Sequence, residues 1–187
     1  MADIARSELI LGGQKSGKSR RAERLARQWM DAAPAHRAVL IATGQAWDDE
    51  MRERIARHQR DRMVRVPGMV TVEEPLALAE VLQRHSAPQT LVVVDCLTLW
   101  LTNLLMPAHG EPLDAEGPTR ELCRVIERAQ GPVVLVGNEI GLGVIPMGRD
   151  VRAFVDALGG LNQSVAGVCA RVTLMAAGLP LTLKEPG

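Results

Sequence analysis

The sequence predicts an α/β fold, with a mostly parallel central sheet and helices on both faces. Short runs rich in Val, Leu and Ile recur along the chain, and stretches with helical spacing separate them. Strands of a parallel sheet are buried on both faces, so they are apolar throughout instead of alternating with polar residues. With 187 residues and 47% hydrophobic content, the chain can fill one core but is too short for two large domains. We therefore predict a single domain over residues 1–187.

The elements follow in order from these apolar runs and from the residues that bound them. The predicted strands are residues 8–11, 38–43, 90–95, 132–138, 171–177 and 181–184. The predicted helices, each bounded by Gly, Pro or polar residues, are residues 18–30, 48–62, 75–84, 97–105, 117–129 and 150–168. Residues 63–72 alternate weakly around Pro67 and Gly68 and fit an edge strand. Two glycines and three prolines in residues 106–118 predict a loop.

Charge and aromatic content argue against a nucleic-acid partner. Lys plus Arg and Asp plus Glu number 22 each, so the chain has no net charge to attract a phosphate backbone or an anionic membrane. Base stacking along a single strand needs aromatic side chains, and the complete set here is Trp29, Trp47, Trp100 and Phe154. No apolar run approaches the ~20 residues of a membrane span. We expect no nucleic acid and no membrane span.

The cysteines indicate a reducing compartment. Cys96, Cys123 and Cys169 are odd in number and far apart, which fits neither a disulfide framework nor the paired spacing of a zinc site. We expect reduced, buried thiols in a cytoplasmic protein.

A glycine-rich loop lies between the first predicted strand and the first predicted helix. Gly12, Gly17, Lys18 and Ser19 satisfy the G-x-x-x-x-G-K-S pattern in its proper strand-to-helix context. Glycines let backbone N–H groups turn toward a β-phosphate, and the helix N-terminus adds its positive end. Such turns also occur without a ligand, but the Lys-Ser pair favours a P-loop that binds a nucleoside triphosphate. The predicted loop residues are Gly12, Gly13, Gln14, Lys15, Ser16, Gly17, Lys18 and Ser19.

The same pattern predicts a magnesium site. Lys18 should bridge the outer phosphates, while the Ser19 hydroxyl binds Mg²⁺. A second carboxylate is expected at the end of an apolar strand, and the run "TLVVVD" places Asp95 there. Alternatively, Asp95 caps the helix that begins at Leu97. Paired with the P-loop, the metal role is the better interpretation, so Ser19 and Asp95 are the predicted ligands.

Composition and motifs narrow the class of P-loop protein. The neutral charge balance argues against DNA motors and recombinases. The Asn-Lys-x-Asp guanine-binding motif of signalling GTPases does not occur in the sequence. A small-molecule kinase or a nucleotidyltransferase remains.

The predicted helix over residues 48–62 carries a histidine. Met51, Ile55, His58 and Arg62 follow the spacing of one helical face, so His58 lies on the face that packs inward. Composition alone favours a histidine that borders the core over a catalytic one. Arginines 52, 54, 57, 60, 62 and 65 likewise fit a solvated face balanced by nearby acidic residues. Helical periodicity does not decide between these alternatives.

Motifs along nearly the whole chain resemble a known family. They are "GGQKSGKS" at 12–19, "IATGQAWDDEMRERIARHQRDR" at 41–62, "TVEEP" at 71–75, "DCLTLWLTNLL" at 95–105, "GNEIGLGVIP" at 137–146, "LNQSVA" at 161–166 and "AGLPLTLK" at 177–184. Together they resemble the bifunctional adenosylcobinamide kinase / adenosylcobinamide-phosphate guanylyltransferase family of cobalamin biosynthesis. The resemblance implies that ATP or GTP phosphorylates adenosylcobinamide. GTP then donates GMP to adenosylcobinamide phosphate. It also implies a homo-oligomer, commonly a trimer.

The resemblance also implies roles for particular residues. His58 matches the histidine that carries the guanylyl group, which reverses the interpretation from composition alone. The further implied nucleotide contacts are Ala42, Thr43, Gly44, Gln59, Arg60, Asp61, Arg62, Glu73 and Asp95. Asn138 and Glu139 fit either a turn after a buried strand or a substrate or metal contact.

Two segments depart from the family's pattern. Relatives usually have Arg-Pro after the histidine helix and a Trp shortly before Thr-x-Glu, whereas this chain has Arg62-Met63, Met69 and a few extra residues. We expect residues 63–70 to reshape the entrance to the guanylylation site. An Ala-Asp pair common in relatives is Cys169-Ala170 here. Neither change affects the P-loop, His58 or Asp95, so activity is still expected.

Two alternative functions follow from these observations. The altered segment after Arg62 motivates an enzyme with only one of the two activities. A P-loop alone is also compatible with a binding module that a nucleotide switches.

Overall fold

The computed structural model describes residues 4–46 and 48–186, without the side chain of Arg54. Trp47 and that side chain, both named above, therefore lie outside the described residues. The strands are β1 (Ser7–Gly12), β2 (Arg37–Ala42), β3 (Val70–Glu73), β4 (Thr90–Asp95), β5 (Val133–Val136), β6 (Arg171–Ala176) and β7 (Leu179–Lys184). The helices are α1 (Lys18–Ala32), α2 (Asp49–Arg65), α3 (Leu78–His85), α4 (Leu97–Leu105), α5 (Glu116–Arg128) and α6 (Arg149–Val168).

The strands form one sheet in the order β3-β2-β4-β5-β1-β6-β7. Among the described residues, neighbouring strands are parallel except for β6 and β7, which form an antiparallel hairpin. Helix α1 covers one face through Ala22 and Leu25, which pack in a core with Ile10. Helices α3 to α6 cover the other face, in a core with Leu9 and Leu135. The predicted mostly parallel α/β class is confirmed.

Some boundaries differ from the predictions. Helix α2 continues past Arg62 to Arg65, where Arg65 pairs with Glu23 of α1 and with Asp61 one turn earlier. The edge strand expected within residues 63–72 is present as β3, but it begins only at Val70 because the helix and a turn occupy the preceding residues. Within the described residues, no helix is both long and apolar enough to cross a bilayer.

A buried carboxylate fastens α1 to the sheet. Glu8 of β1 is 1% exposed, and its Oε1 accepts hydrogen bonds from Arg21 Nε at 2.7 Å and from Thr173 Oγ1 at 2.8 Å. Arg171 Nη1 lies 3.9 Å from Glu8 Oε2 on the other side. Two guanidinium groups thus offset the cost of burying this charge. The cluster ties β1, α1 and β6 together.

Replacing Glu8 with Ala should destabilise the protein strongly. Arg171, which is buried, and Arg21, which is half-buried, would lose their shared carboxylate, and breaking a buried pair typically costs about 3–5 kcal/mol. Urea unfolding at pH 7, extrapolated to water, measures this loss. As a matched control, Glu80→Ala removes an exposed carboxylate paired with Arg84 and should cost about 1 kcal/mol or less. Equal losses in the two variants would contradict this account of the Glu8 cluster.

Candidate active site

The P-loop, residues 12–19, joins β1 to α1 and leaves no room for a side chain at its first glycine. Gly12 has φ +148°, and a Cβ there would lie 2.5 Å from Met175 O and 2.6 Å from Ser16 Oγ. The backbone oxygen of Met175 belongs to β6, which pairs with β1 and cannot move aside freely. Gly17, at φ +101°, also adopts a left-handed conformation just before α1. Glycine is therefore required at both ends of the turn.

Hydrogen bonds fasten the P-loop to two neighbouring segments. Glu139 N donates to Gly12 O at 3.2 Å, and Gly178 N, in the β6–β7 turn, donates to Ser16 O at 3.0 Å. Within the loop, Lys18 Nζ donates to Gly13 O at 2.7 Å. The buried Lys18 side chain is thus folded back over the loop. This position is where a P-loop lysine meets the outer phosphates.

The register of the sheet aligns predicted site residues from three strands in one row. Ile10 pairs with Val136, and Val136 pairs with Asp95. Asp95 in turn pairs with Ala42, and Ala42 pairs with Glu73. All these strands are parallel, so the row marks the carboxyl edge of the sheet. Open α/β sheets bind ligands at this edge. β5 separates Asp95 from the strand that carries the P-loop.

The Cys96 thiol lies close to both predicted phosphate-site charges. Burial raises the pKa of Cys96 to about 11, with the Asp95 carboxylate contributing to the rise and the Lys18 ammonium opposing it. Lys18 of α1 and Asp95 of β4 therefore both influence this buried thiol.

Thr43 is bonded inside the protein through each of its polar groups. Its Oγ1 donates to Cys96 O at 2.7 Å and accepts from Cys96 N at 2.9 Å. Its N donates to Asp95 O at 3.2 Å, and its O accepts from Asn103 Nδ2 at 2.7 Å. A nucleotide contact at the fully buried Thr43 would have to displace one of these bonds. Thr43 thus joins the ends of β2 and β4 to α4.

Asn103 and Trp100 of α4 are structural partners of this edge that sequence reasoning missed. Asn103 Nδ2 also donates to Pro75 O at 3.0 Å, and Trp100 Nε1 donates to Leu76 O at 2.9 Å. The only available signal was that both residues lie in the "DCLTLWLTNLL" motif. Together they hold the segment after β3 against the site.

His58 lies on the face of α2 that packs against the site, as its spacing predicted. Met51, Ile55 and His58 are half-buried, and Arg62 is buried. Ile55 Cδ1 would lie 3.9 Å from a Cβ built on Gly44, which places this part of α2 beside the end of β2. Among the described residues, none forms a hydrogen bond with the His58 imidazole. Within this described part of the chain, its ring nitrogens are not committed to structural bonds.

Gln59 and Arg62, which follow His58 in α2, both contact side chains of β3. Gln59 Nε2 donates to Glu73 Oε1 at 3.4 Å, which brings these two predicted contacts together. Arg62 Nη1 donates to Thr71 Oγ1 at 3.3 Å, while its buried Nε has no hydrogen-bond partner among the described residues.

Arg60 is exposed and lies on the opposite side of α2 from His58. Asp61 forms an ion pair with Arg65. The structure thus does not group Arg60 with the His58 face, whereas Asp61, three residues after His58, lies beside that face and is engaged by Arg65.

Asn138 and Glu139 follow β5 directly into the site. Asn138 N donates to Thr98 Oγ1 at 2.9 Å, and its O accepts from Asn162 Nδ2 at 3.1 Å. Glu139 lines a depression of about 410 Å³ together with Gly13, Gln14, Lys15 and Ser16 of the P-loop. The backbone of Asn138 is therefore fixed in a turn, while Glu139 borders the predicted phosphate site.

The fold and the loop define this chain as a P-loop α/β protein. The sequence matches the family described as cobinamide kinase / cobinamide phosphate guanyltransferase over residues 8–183. The chain belongs to this family, as the resemblance predicted. The family is one of enzymes, so the binding-module alternative is set aside.

Named relatives agree with this assignment over almost their full length. The bifunctional adenosylcobalamin biosynthesis protein CobP of Pseudomonas aeruginosa is 48% identical over 181 residues, covering 96% of this chain and 98% of that protein. The bifunctional adenosylcobalamin biosynthesis protein CobU of Escherichia coli is 33% identical over 189 residues, covering 94% and 98%.

A solved structure also shares the fold. The flagellar accessory protein FlaH from Methanocaldococcus jannaschii matches with a TM-score of 0.57, covering 98% of this chain and 80% of that one. At 12% identity, this likeness supports the fold alone.

Thiol reactivity should report whether the site is closed as described. Burial raises the pKa of Cys96 to about 11 and that of Cys169 to about 12, so both remain thiols at pH 8, where only a thiolate reacts. Cys123 is less buried, and its pKa is raised by partial burial and by Glu127. With a disulfide reagent at pH 8, Cys123 should react first, and the other two only after unfolding in urea. Peptide mapping identifies each site. Fast labelling of Cys96 in native buffer would contradict the closed arrangement.

Proposed function

We propose that this protein phosphorylates adenosylcobinamide with ATP or GTP and then transfers GMP from GTP to the new phosphate through a guanylylated His58. Membership of the cobinamide kinase / cobinamide phosphate guanyltransferase family supports the two reactions. The observation that carries the histidine role is the half-buried His58 imidazole on the site-facing side of α2, uncommitted to any described hydrogen bond. A nucleophilic imidazole needs such a free nitrogen.

In the kinase step, the acceptor hydroxyl oxygen attacks the γ-phosphorus. A new oxygen–phosphorus bond forms, the bond from the γ-phosphorus to the bridging oxygen breaks, and the nucleoside diphosphate leaves. The P-loop N–H groups and Lys18 hold the phosphates in place, and the Lys18 ammonium offsets the charge that develops on the phosphoryl oxygens. The bond from Lys18 Nζ to Gly13 O would give way to a phosphate contact.

In the guanylyl step, a neutral His58 nitrogen attacks the α-phosphorus of GTP and pyrophosphate leaves. The resulting nitrogen–phosphorus bond then breaks when a phosphate oxygen of adenosylcobinamide phosphate attacks, and the imidazole is restored. The product is adenosylcobinamide-GDP. Arg62 lies one turn after His58 on the same face, and its Nε has no hydrogen-bond partner among the described residues, so its guanidinium can offer charge to the GMP phosphate.

The residues present fit a magnesium ion bound with the nucleotide. Ser19 and Asp95 offer a hydroxyl and a carboxylate, the hard oxygen ligands that Mg²⁺ prefers. No group of three or more His, Cys, Asp or Glu gathers among the described residues, which agrees with an ion held mainly by phosphate oxygens and one or two side chains. When bound, Mg²⁺ would supply further compensation of phosphate charge.

Three further properties are proposed from the family resemblance and the composition. The protein works in the cytoplasm, it forms a homo-oligomer such as a trimer, and it acts without nucleic acid. The raised thiol pKa values and the balanced charge are compatible with these proposals.

Replacing His58 should separate the two reactions. In His58→Ala, GMP transfer should fall about 10³-fold or more because the nucleophile is gone. Phosphorylation of adenosylcobinamide should fall far less, because the P-loop is intact. Steady-state assays of each product by chromatography measure both rates. His109→Ala, in an exposed loop, is the matched control and should change neither rate.

Replacing Lys18 should give the complementary result. Lys18→Met removes the phosphate-binding cation, and we expect phosphorylation to fall about 10²–10³-fold, as for loss of one preorganised charge-stabilising group. Near-normal phosphorylation in Lys18→Met would contradict the P-loop role. Equal loss of both reactions in His58→Ala would contradict the covalent carrier.

A further inference from the structure

The depression beside the P-loop is lined by both polar and apolar residues. Gly13 to Ser16 line it with the polar groups of the P-loop, and Leu142 and Leu174 contribute apolar surface. Glu139 is the one carboxylate that lines the depression among the described residues. The depression therefore combines a phosphate-binding loop, a carboxylate and an apolar surface within about 410 Å³.

The apolar lining of the depression includes Leu142, which belongs to an exposed segment, residues 140–147. Within it, Leu142 is 79% exposed, Val144 96%, Ile145 77% and Met147 95%. Large apolar side chains scattered singly on a surface need no explanation, but a contiguous run marks a binding site. This run directly follows Glu139, whose N donates to Gly12 O, so the run lies next to the P-loop.

We infer that residues 140–147 form the docking surface for the cobinamide acceptor, with the acceptor hydroxyl against Glu139. The inference depends on the proposed kinase activity, which supplies the acceptor. Cobinamide is a corrinoid, a large ring rimmed with methyl and amide groups, so its methyl groups favour an apolar surface beside the nucleotide site. The cobinamide hydroxyl must also reach the outer phosphate of the nucleotide. Residues 140–147 follow Glu139, whose N is hydrogen-bonded to the P-loop that would hold this phosphate.

Glu139 is held in position for this contact. Its backbone is bonded to the P-loop, and its Oε1 accepts from Gly141 N at 2.9 Å, which leaves the second carboxylate oxygen for a ligand. As the acceptor oxygen bonds to the γ-phosphorus and the nucleoside diphosphate leaves, the hydroxyl proton passes to the Glu139 carboxylate. Glu139 thus acts as the general base of the kinase step.

A carboxylate placed in the apolar segment tests the docking surface. In Leu142→Asp, the KM for cobinamide should rise about ten-fold or more, because a charged group would lose water against an apolar ligand. The Kd for GTP, measured without acceptor, reports any repulsion between the new carboxylate and the triphosphate, and the KM for cobinamide should rise more than this Kd does. Leu183→Asp is the matched control: Leu183 is 56% exposed, and β7 places it next to Lys184, which pairs with Val172 at the opposite edge of the sheet.

An isosteric change tests the carboxylate. In Glu139→Gln, kcat for phosphorylation should fall about 10²-fold or more with little change in KM for nucleotide or acceptor. The pH profile of kcat should also lose the limb that reports deprotonation of the base. A purely structural role for Glu139 would lower stability without removing that limb.

The outcomes separate the inference from the proposed function. If the wild-type protein does not phosphorylate cobinamide, the proposed function fails. If it does, and Leu142→Asp keeps the wild-type KM, the docking surface is overturned while the function stands. Light scattering of each variant gives a third test. If the oligomeric mass changes together with the KM, residues 140–147 contact a second copy of the chain, and the inference is overturned.

Discussion

The site depends on the absence of a side chain at Gly12. A Cβ at this position would lie 2.5 Å from the backbone oxygen of Met175, which is closer than van der Waals contact allows. Only glycine therefore lets the start of the P-loop pass this close to β6. That close approach lets the β6–β7 turn donate from Gly178 to Ser16 and lets Glu139 donate to Gly12. The conformation of the P-loop is thereby set by β5, β6 and the hairpin, and the nucleotide meets a preorganised loop.

Parallel strands bring the rest of the site to the same edge. Asp95, Ala42 and Glu73 lie in one row because β4, β2 and β3 run in the same direction as β1. Thr43 locks the ends of β2 and β4 through Cys96, and Gln59 links α2 to Glu73. The chain therefore presents a P-loop and a histidine helix at one edge of one sheet. The proposed storage of GMP on His58 would suit two transfers at such a shared edge, because the phosphorylated product of the first reaction could return as the acceptor of the second.

Most of the fold and of the candidate site could be predicted from the sequence, because these features are local in the chain. The P-loop, the strand ending at Asp95 and the inward face of α2 each depend on residues close in the chain, so spacing revealed them. The strand order with β5 between β1 and β4, and the bonds of Asn103 to Thr43 and Pro75, depend on residues far apart in the chain. The extension of α2 to Arg65 likewise depends on Glu23 of another helix. Periodicity within one segment carries no information about such partners.

The most direct test of the covalent carrier is to trap it. The pure protein would be incubated with Mg²⁺ and GTP labelled at the α-phosphate, without acceptor, then denatured and digested for peptide mapping. A histidine phosphoramidate survives alkali and is released by acid, so we expect label with this stability on the peptide that contains His58. Absence of protein-bound label while GTP is demonstrably bound, or label on a different residue, would contradict the account.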